Sequence, residues 1–466
     1  MFYREGRSMY QLDFEAPCHV YFCGIGGISM SGLAEILLSR GFKVSGSDMK
    51  ESELTKILKD KGAEVFIGQR SENITEDIDL YVYTAAISQD NPEWIAMKNM
   101  NIPSLSRAQL LGQIMRNFEL PIAISGTHGK TTTTSMITEI LMKADTDPTV
   151  SVGGMLKSID GNLRIGHSKY FVTEACEYTN SFLNFFPKIS LILNIEEDHM
   201  DFFKDINDIR SSFSKFAGLL PADGTLIING EIDNVKDIIS SADCRSITYG
   251  NDTSFDYYAT DIEYDELAHP SYVLHSPKGE SKIRLSVPGL HNVYNSMAAA
   301  AFADTAGIDR KITVDALLGF TGTDRRFEKK GEIGSVTIID DYAHHPTEIK
   351  ATLNAALNYP HKTLWCVFQP HTYTRTKAFL HDFAEALSLA DKVVLADIYA
   401  AREKNTIGIS SMDLQKELQN LGKECYYFPT FDEIENFLLE NCSQGDLLIT
   451  MGAGDIVKVG ESLLGI

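Results

Sequence analysis

The stretch PIAISGTHGKTTTTSMITEIL, residues 121–141, passes from a short apolar run through a turn marked by Gly126 and Gly129 into helical spacing at Met136, Ile137, Ile140 and Leu141. Strand, glycine turn and helix in that order gather successive backbone N–H groups and the positive end of a helix dipole around one concavity, which suits a phosphate chain. Lys130 stands where a point charge reaches the terminal phosphates, and Thr131 where a hydroxyl can ligate Mg²⁺. The usual pattern has a further glycine where this chain has Ile124, leaving a compact GxxGK[ST] with more threonines behind it. Gly126, Thr127, His128, Gly129, Lys130 and Thr131, backed by Thr132, therefore read as a nucleoside triphosphate site rather than a bare tight connection.

A chain of 466 residues exceeds one core of ordinary size, so two or three domains are expected. With 44% hydrophobic and 23% charged residues its composition is that of a globular protein. A formal net charge of −22 argues against a nucleic-acid partner. Seven cysteines without a CxxC pair read as reduced thiols of a cytoplasmic protein. No run suits a signal peptide or reaches the ~18 apolar residues of a membrane span, so no membrane insertion is expected.

Residues 19–48 read as strand, glycine turn, helix, strand, with Leu33, Ile36, Leu37 and Arg40 at helical spacing. Asp48 ends the second strand near where a dinucleotide fold places its ribose-binding acid. The turn holds Gly24, Gly26, Gly27 and Gly32 but has Ser29 at the third fingerprint position, which favours a phosphate-bearing ligand other than a dinucleotide. Strands at 64–67 and 80–86 predict a small parallel sheet through about residue 106.

Beyond the phosphate loop, buried strands end in Glu174 and Glu177 and in Asp198, His199 and Asp201. Ligands gather beyond the carboxyl ends of strands in doubly wound sheets, so these groups can meet the loop and hold Mg²⁺. Residues 226–284 carry little signal. His291 and Asn292 precede an alanine-rich helix with Asn295 near its first turn. Asparagine matches the donor and acceptor of an adenine edge, with helix capping as the alternative.

From residue 323 the character changes. Arg325 and Arg326 lie in a turn, and four strands end in polar clusters. The first bears Asp340, Asp341, Tyr342, His344 and His345 before a Pro346-led helix with Glu348 in its first turn. The others bear His371, Thr374 and Arg375; Asp397, Tyr399, Arg402 and Glu403; and Gly452 and Gly454. No third ligand at Zn²⁺ spacing accompanies the His pair. A triphosphate loop joined to an anion-binding domain and an Arg- and His-rich domain suits attack of a carboxylate on the γ-phosphate, with the acyl phosphate then opened by an amine. Closure of the domains would keep water from that intermediate.

GxGGxxMSG (24–32), GTHGKTTT (126–133), EACEY (174–178), NIEEDHMD (194–201), VPGLHNVYN (287–295), DRRFE (324–328), DDYAHHPTEI (340–349), FQPHTYTRT (368–376) and DIYAAREK (397–404) together resemble the Mur ligases over nearly the whole chain and in the right order. The resemblance implies an α/β chain of three domains. These are an N-terminal Rossmann-like domain for a UDP-sugar (1–106), a central P-loop-type ATPase with a mostly parallel sheet (107–322) and a C-terminal Rossmann-like domain that receives the amino acid (323–466). It implies ATP-dependent joining of L-alanine to the carboxylate of UDP-N-acetylmuramate in peptidoglycan precursor synthesis, with Mg²⁺ or Mn²⁺, by a monomer or weak homodimer.

Carried over residue by residue, the resemblance implies that Gly26, Gly27, Ser29 and Asp48 face the UDP-sugar, and that residues 126–132, His291, Asn292, Asn295, Arg326 and Asp341 hold ATP. Thr131, Glu174 and His199 would bind metal, and Tyr342, His344 and Arg375 the amino acid or sugar substrate. Lys130, Glu174, His199, Arg326 and His344 form the implied catalytic set. Many members read EADESD where this chain reads EACEYT, so Cys176 replaces an aspartate. Rival readings are a recycling ligase that adds a whole peptide, an NAD-dependent dehydrogenase and a nucleotide-switched binding protein; only the first accounts for both the phosphate loop and the polar strand tips.

Overall fold

The computed structural model describes residues 10–466 except Arg402, so that strand-tip candidate and the first nine residues of the expected N-terminal unit lie outside the described residues. Three separate sheets form. The first holds β1 (His19–Cys23), β2 (Lys43–Asp48), β3 (Glu64–Ile67), β4 (Leu80–Tyr83) and β5 (Ser104–Ser106) in the order 3-2-1-4-5, all parallel. β4 stops at Tyr83 rather than 86 because the Thr84 hydroxyl accepts from the Ala86 N–H and turns the chain. The helix Ile28–Ser39 buries Leu33, Ile36 and Leu37 against this sheet, as its spacing predicts.

The central sheet has ten strands: β6 (Leu120–Ser125), β7 (Thr149–Leu156), β8 (Gly161–Arg164), β9 (Tyr170–Ala175), β10 (Ile189–Ile192), β11 (Thr225–Asn229), β12 (Arg245–Gly250), β13 (Tyr257–Tyr264), β14 (Pro270–His275) and β15 (Ser281–Arg284). Their order is 15-14-13-12-11-10-6-9-7-8. Strands 6, 9, 10 and 11 are apolar and nearly continuously buried, the pattern of parallel strands covered on both faces. Antiparallel pairing is confined to β13–β14–β15 and β7–β8. The uninformative stretch 226–284 thus builds one flank of the central sheet. One face is covered by the helices Lys130–Lys143 and Leu290–Thr305, where Ala298 to Ala301 let the backbones approach closely.

The third sheet holds β16 (Glu328–Ile333), β17 (Val336–Asp341), β18 (Leu364–Phe368), β19 (Lys392–Leu395), β20 (Glu424–Tyr427) and β21 (Leu447–Met451) in the order 16-17-21-18-19-20, parallel except for β16. Separate cores cover its two faces. By contrast, the first two sheets share one core. The helix Arg107–Met115 and Phe118 lie between them, bringing Leu110, Ile114 and Phe118 into the same cluster as Phe171, Phe182 and Phe213. Among the described residues no helix is long and apolar enough to cross a membrane.

Candidate active site

The phosphate loop joins β6 to the helix Lys130–Lys143. Gly129 has φ +82°, and a Cβ there would lie 2.7 Å from Asn295 Oδ1, so only glycine suits the position. Asn194, just past β10, fixes the loop backbone: its Oδ1 accepts from the His128 N–H at 2.7 Å and its Nδ2 donates to the His128 carbonyl at 3.0 Å. Lys130 Nζ donates to the carbonyls of Gly126 and Thr127 and lies 3.2 Å from Glu177 Oε2. Burial alone would lower the pKa of this ammonium, but the Glu177 carboxylate outweighs it and the net shift is upward.

Thr131 and Glu174 face the glycine pair of β7. A Cβ on Gly153 would lie 2.8 Å from either Glu174 carboxylate oxygen, and one on Gly154 3.2 Å from the Thr131 methyl. Glu174 also accepts from the Gly153 N–H at 2.6 Å. A carboxylate and a hydroxyl are oxygen ligands of the kind a hard divalent cation takes. His199 lies apart from it, with Glu177 Oε1 at 3.8 Å and Asp198 Oδ2 at 3.7 Å as its acidic neighbours. The expected metal residues thus have different neighbours, and Glu177 stands between Lys130 and His199. Glu177 is 2% exposed and its Oε1 has no hydrogen-bond partner. Tyr178 stacks on the His199 ring at 4.5 Å and donates to Asp201 at 2.8 Å. His199 itself holds φ +54°, a left-handed backbone that marks strain in a histidine. Burial lowers the His199 pKa and favours the neutral ring.

A cavity of about 590 Å³ opens beside the loop and touches His128, Gly129, Thr132, His291, Asn292, Asn295, Arg326 and Asp341. Neither asparagine caps its helix, whose N-cap is Gly289. Asn292 donates to the Pro288 carbonyl at 2.7 Å and accepts from Asn295 Nδ2 at 3.1 Å, so the two side chains set each other's orientation. Tyr249, Tyr294 and Glu231 line the same cavity from the stretch that carried little signal and from the helix, and Tyr294 donates to Glu231 at 3.1 Å.

At the third sheet the tips of β17 and β18 face the central domain. Arg325 turns inward, donating to Asp340 at 2.9 Å and to the Gly452 and Gly454 carbonyls, while Arg326 lines the cavity. Asp341 accepts from the Phe327 and Ala343 N–H groups, and burial pushes its carboxyl up to about 6. Tyr342 receives both guanidinium groups against its ring. His344 Nδ1 lies 3.0 Å from the Tyr342 carbonyl, and burial brings its pKa down to about 4, so the ring is neutral at pH 7. Arg375 donates to Asp198 at 2.8 Å, tying the β18 tip to the residue before His199.

His128, Glu196 and His345 offer three ligand-type atoms within 4.8 Å of one another. Both ring nitrogens of His345 are committed, however. Nε2 donates to the Glu197 carbonyl at 3.0 Å, and Nδ1 accepts from the Thr347 N–H as the cap of the helix Pro346–Leu357. The cluster is therefore a joint between domains, with the two histidine rings 4.7 Å apart, rather than a metal centre.

In the first sheet, Gly26 donates its N–H to Asp48 Oδ2 at 2.9 Å, and Ser29 accepts from Arg107 at 3.1 Å. Gly27 and Ser29 are exposed beside them, at the carboxyl ends of β1 and β2. Glu177 lies at the loop as its strand-end position predicts, 3.2 Å from Lys130 Nζ. Glu196 and Glu348 carry no role in the sequence reading although each stands in a motif quoted above; their long-range pairing with His128 marks them.

Three family models match in order: the Mur ligase family catalytic domain over residues 19–119, the Mur ligase middle domain over 124–303 and the Mur ligase glutamate ligase domain over 325–454. The chain is 60% identical over 457 residues to a UDP-N-acetylmuramate–L-alanine ligase of Agathobacter rectalis, covering 98% of this chain and all of that one. It is 56% identical to the protein so named in Lachnoclostridium phytofermentans, again covering 98% of this chain and all of that one. Among solved structures, the UDP-N-acetylmuramate–alanine ligase of Thermotoga maritima superposes with a TM-score of 0.78 at 29% identity, over 96% of this chain and 98% of that one. A murein peptide ligase of Psychrobacter arcticus shares the fold, with a TM-score of 0.68 at 24% identity over 96% of this chain and 98% of that one. With all three of its sheets matched by these models, the chain belongs to the Mur ligase family.

Proposed function

We propose that the protein joins L-alanine to the carboxylate of UDP-N-acetylmuramate at the expense of ATP, in peptidoglycan precursor synthesis. The observation that carries this reading is the convergence of His128 of the phosphate loop, Asn292 of the helix Leu290–Thr305, Arg326 of the linker and Asp341 of the β17 tip on a single cavity. In the reaction the sugar carboxylate attacks the γ-phosphorus, ADP leaves, and the alanine amine attacks the acyl carbon and expels phosphate. Residues 1–106 would take the UDP-sugar through Gly26, Gly27, Ser29 and Asp48, residues 107–322 ATP, and residues 323–466 the amino acid.

Lys130 supplies charge to the transferring phosphoryl group, aimed by Glu177. The adenosine would lie along Asn292, Asn295 and His291, with Arg326 at the phosphates. Neutral His344 can take a proton from the alanine ammonium, and Arg375 and Tyr342 border the same tip. Mg²⁺ would be held by Thr131 and Glu174, with His199 near a second ion, and would shield the repulsion between phosphate and carboxylate. The protein is further proposed to act in the cytoplasm as a monomer or weak homodimer.

An isotope experiment tests the acyl-phosphate step. With ¹⁸O in the sugar carboxylate, one label is expected in the released phosphate and the product gains the mass of an alanyl residue. Unlabelled phosphate would overturn the route.

A further inference from the structure

We propose that Glu348 is a positioning residue that makes nucleotide binding depend on docking of the third domain, an inference that rests on the ligase reading above. Glu348 stands in the first turn of the helix Pro346–Leu357, its side chain 13% exposed, and its two oxygens serve different partners. Oε1 lies 3.2 Å from His128 Nδ1 of the phosphate loop and 3.9 Å from the Arg326 guanidinium. Oε2 accepts from the His344 N–H at 3.1 Å and lies 3.3 Å from His344 Nδ1. One carboxylate thus holds loop, linker and strand tip.

The partner it grips is fixed from the other side as well. Asn194 clamps the His128 backbone, and His128 Nε2 faces Glu196 at 3.5 Å. Glu196 in turn accepts from Thr347 Oγ1, the neighbour of Glu348, at 2.5 Å. The imidazole therefore sits between one carboxylate of the central domain and one of the third. Among the described residues, Glu348 is the only acidic partner that the third domain offers the loop. Burial would raise its pKa, yet the surrounding His344, His128 and Arg326 hold it well below the ordinary range, so it acts as an anion.

The two-sided geometry makes the inference testable by an isosteric change. Glutamine keeps the shape but presents one oxygen and one NH₂, so it cannot accept from His128 and His344 together. The cavity keeps its walls while His128 and Arg326, the cationic partners of Oε1, lose their aim.

The experiment measures ATP affinity by titration calorimetry on the full chain without acceptor, together with steady-state KM values, for wild type, Glu348→Gln, Glu348→Asp, His128→Asn and the Glu348→Gln/His128→Asn pair. Glu348→Gln is expected to weaken ATP binding and raise KM for ATP by roughly tenfold, the size of one lost charge-assisted bond, with KM for UDP-N-acetylmuramate within about twofold. Aspartate should restore part of the loss, and the double variant should bind no more weakly than the worse single one. Unchanged ATP affinity in a folded Glu348→Gln chain, equal rises in every KM, or additive losses in the pair would overturn the proposal. Should circular dichroism find Glu348→Gln unfolded, the same readings on Glu348→Asp and on the His128→Asn single variant decide. Because binding is read without acceptor, failure of the ligase reading appears separately, as wild-type turnover that ignores L-alanine.

Discussion

Lys130 carries the charge that the phosphate loop offers, and Glu177 decides where that charge sits. Replacing Lys130 by alanine is expected to remove ligation while leaving binding of the sugar nucleotide, measured by calorimetry, near that of wild type. Glu177→Gln leaves a half-buried ammonium without its counter-charge, which should lower stability by about 3 kcal/mol in urea titration as well as slow turnover. Glu174→Gln changes a different property. Its carboxylate borders the glycine pair beside Thr131, so the variant should need more Mg²⁺ for half-maximal rate, and an unchanged requirement in a Mg²⁺ titration would contradict that placement. Lys130 and Thr131 were legible because their meaning is local: a glycine turn, then a helix. Glu177 was legible as a strand-end acid able to reach the loop, whereas Glu196 and Glu348 were not, because no spacing along the chain reveals that an acid at one strand tip meets a histidine on another loop.

The phosphate loop is the element whose backbone admits least change. Gly129 has a left-handed φ and lies against the Asn295 carboxamide. Gly129→Ala is expected to cost about 2 kcal/mol in stability and to push Asn295 from its partner Asn292, weakening ATP binding in calorimetry with little change in sugar-nucleotide binding. The strand–loop–helix units of all three sheets could be read because apolar runs and glycine turns alternate with helical spacing. The flank β12 to β15 could not. Its strands mix burial with exposure instead of forming continuous apolar runs, and Tyr249, which lines the cavity, reads from sequence as an ordinary core aromatic.

The joints between domains differ in kind. A continuous apolar core unites the first two sheets, whereas the described contacts of the phosphate loop and the β10 tip with the third domain are polar: His128 with Glu348, Thr347 with Glu196, His345 with the Glu197 carbonyl and Arg375 with Asp198. Polar joints of this kind let domains move relative to one another. They are also sensitive to pH. Burial alone would lower the His128 pKa, but Glu196 and Glu348 outweigh it and push it up to about 9. Since the folded value lies above the ordinary 6.5, the stabilisation is full below that pH and is lost as pH rises through about 9. Melting temperature should therefore fall more between pH 7 and pH 9.5 in wild type than in His128→Asn, as differential scanning calorimetry can check.

Phosphate release from ATP is the measurement to make first, with UDP-N-acetylmuramate present and L-alanine, other amino acids, a muropeptide or no acceptor added in turn. Expected is release that requires both the sugar nucleotide and L-alanine, one phosphate per alanyl product. Release driven by the peptide in place of L-alanine, or release that needs neither substrate, would contradict the proposed ligation.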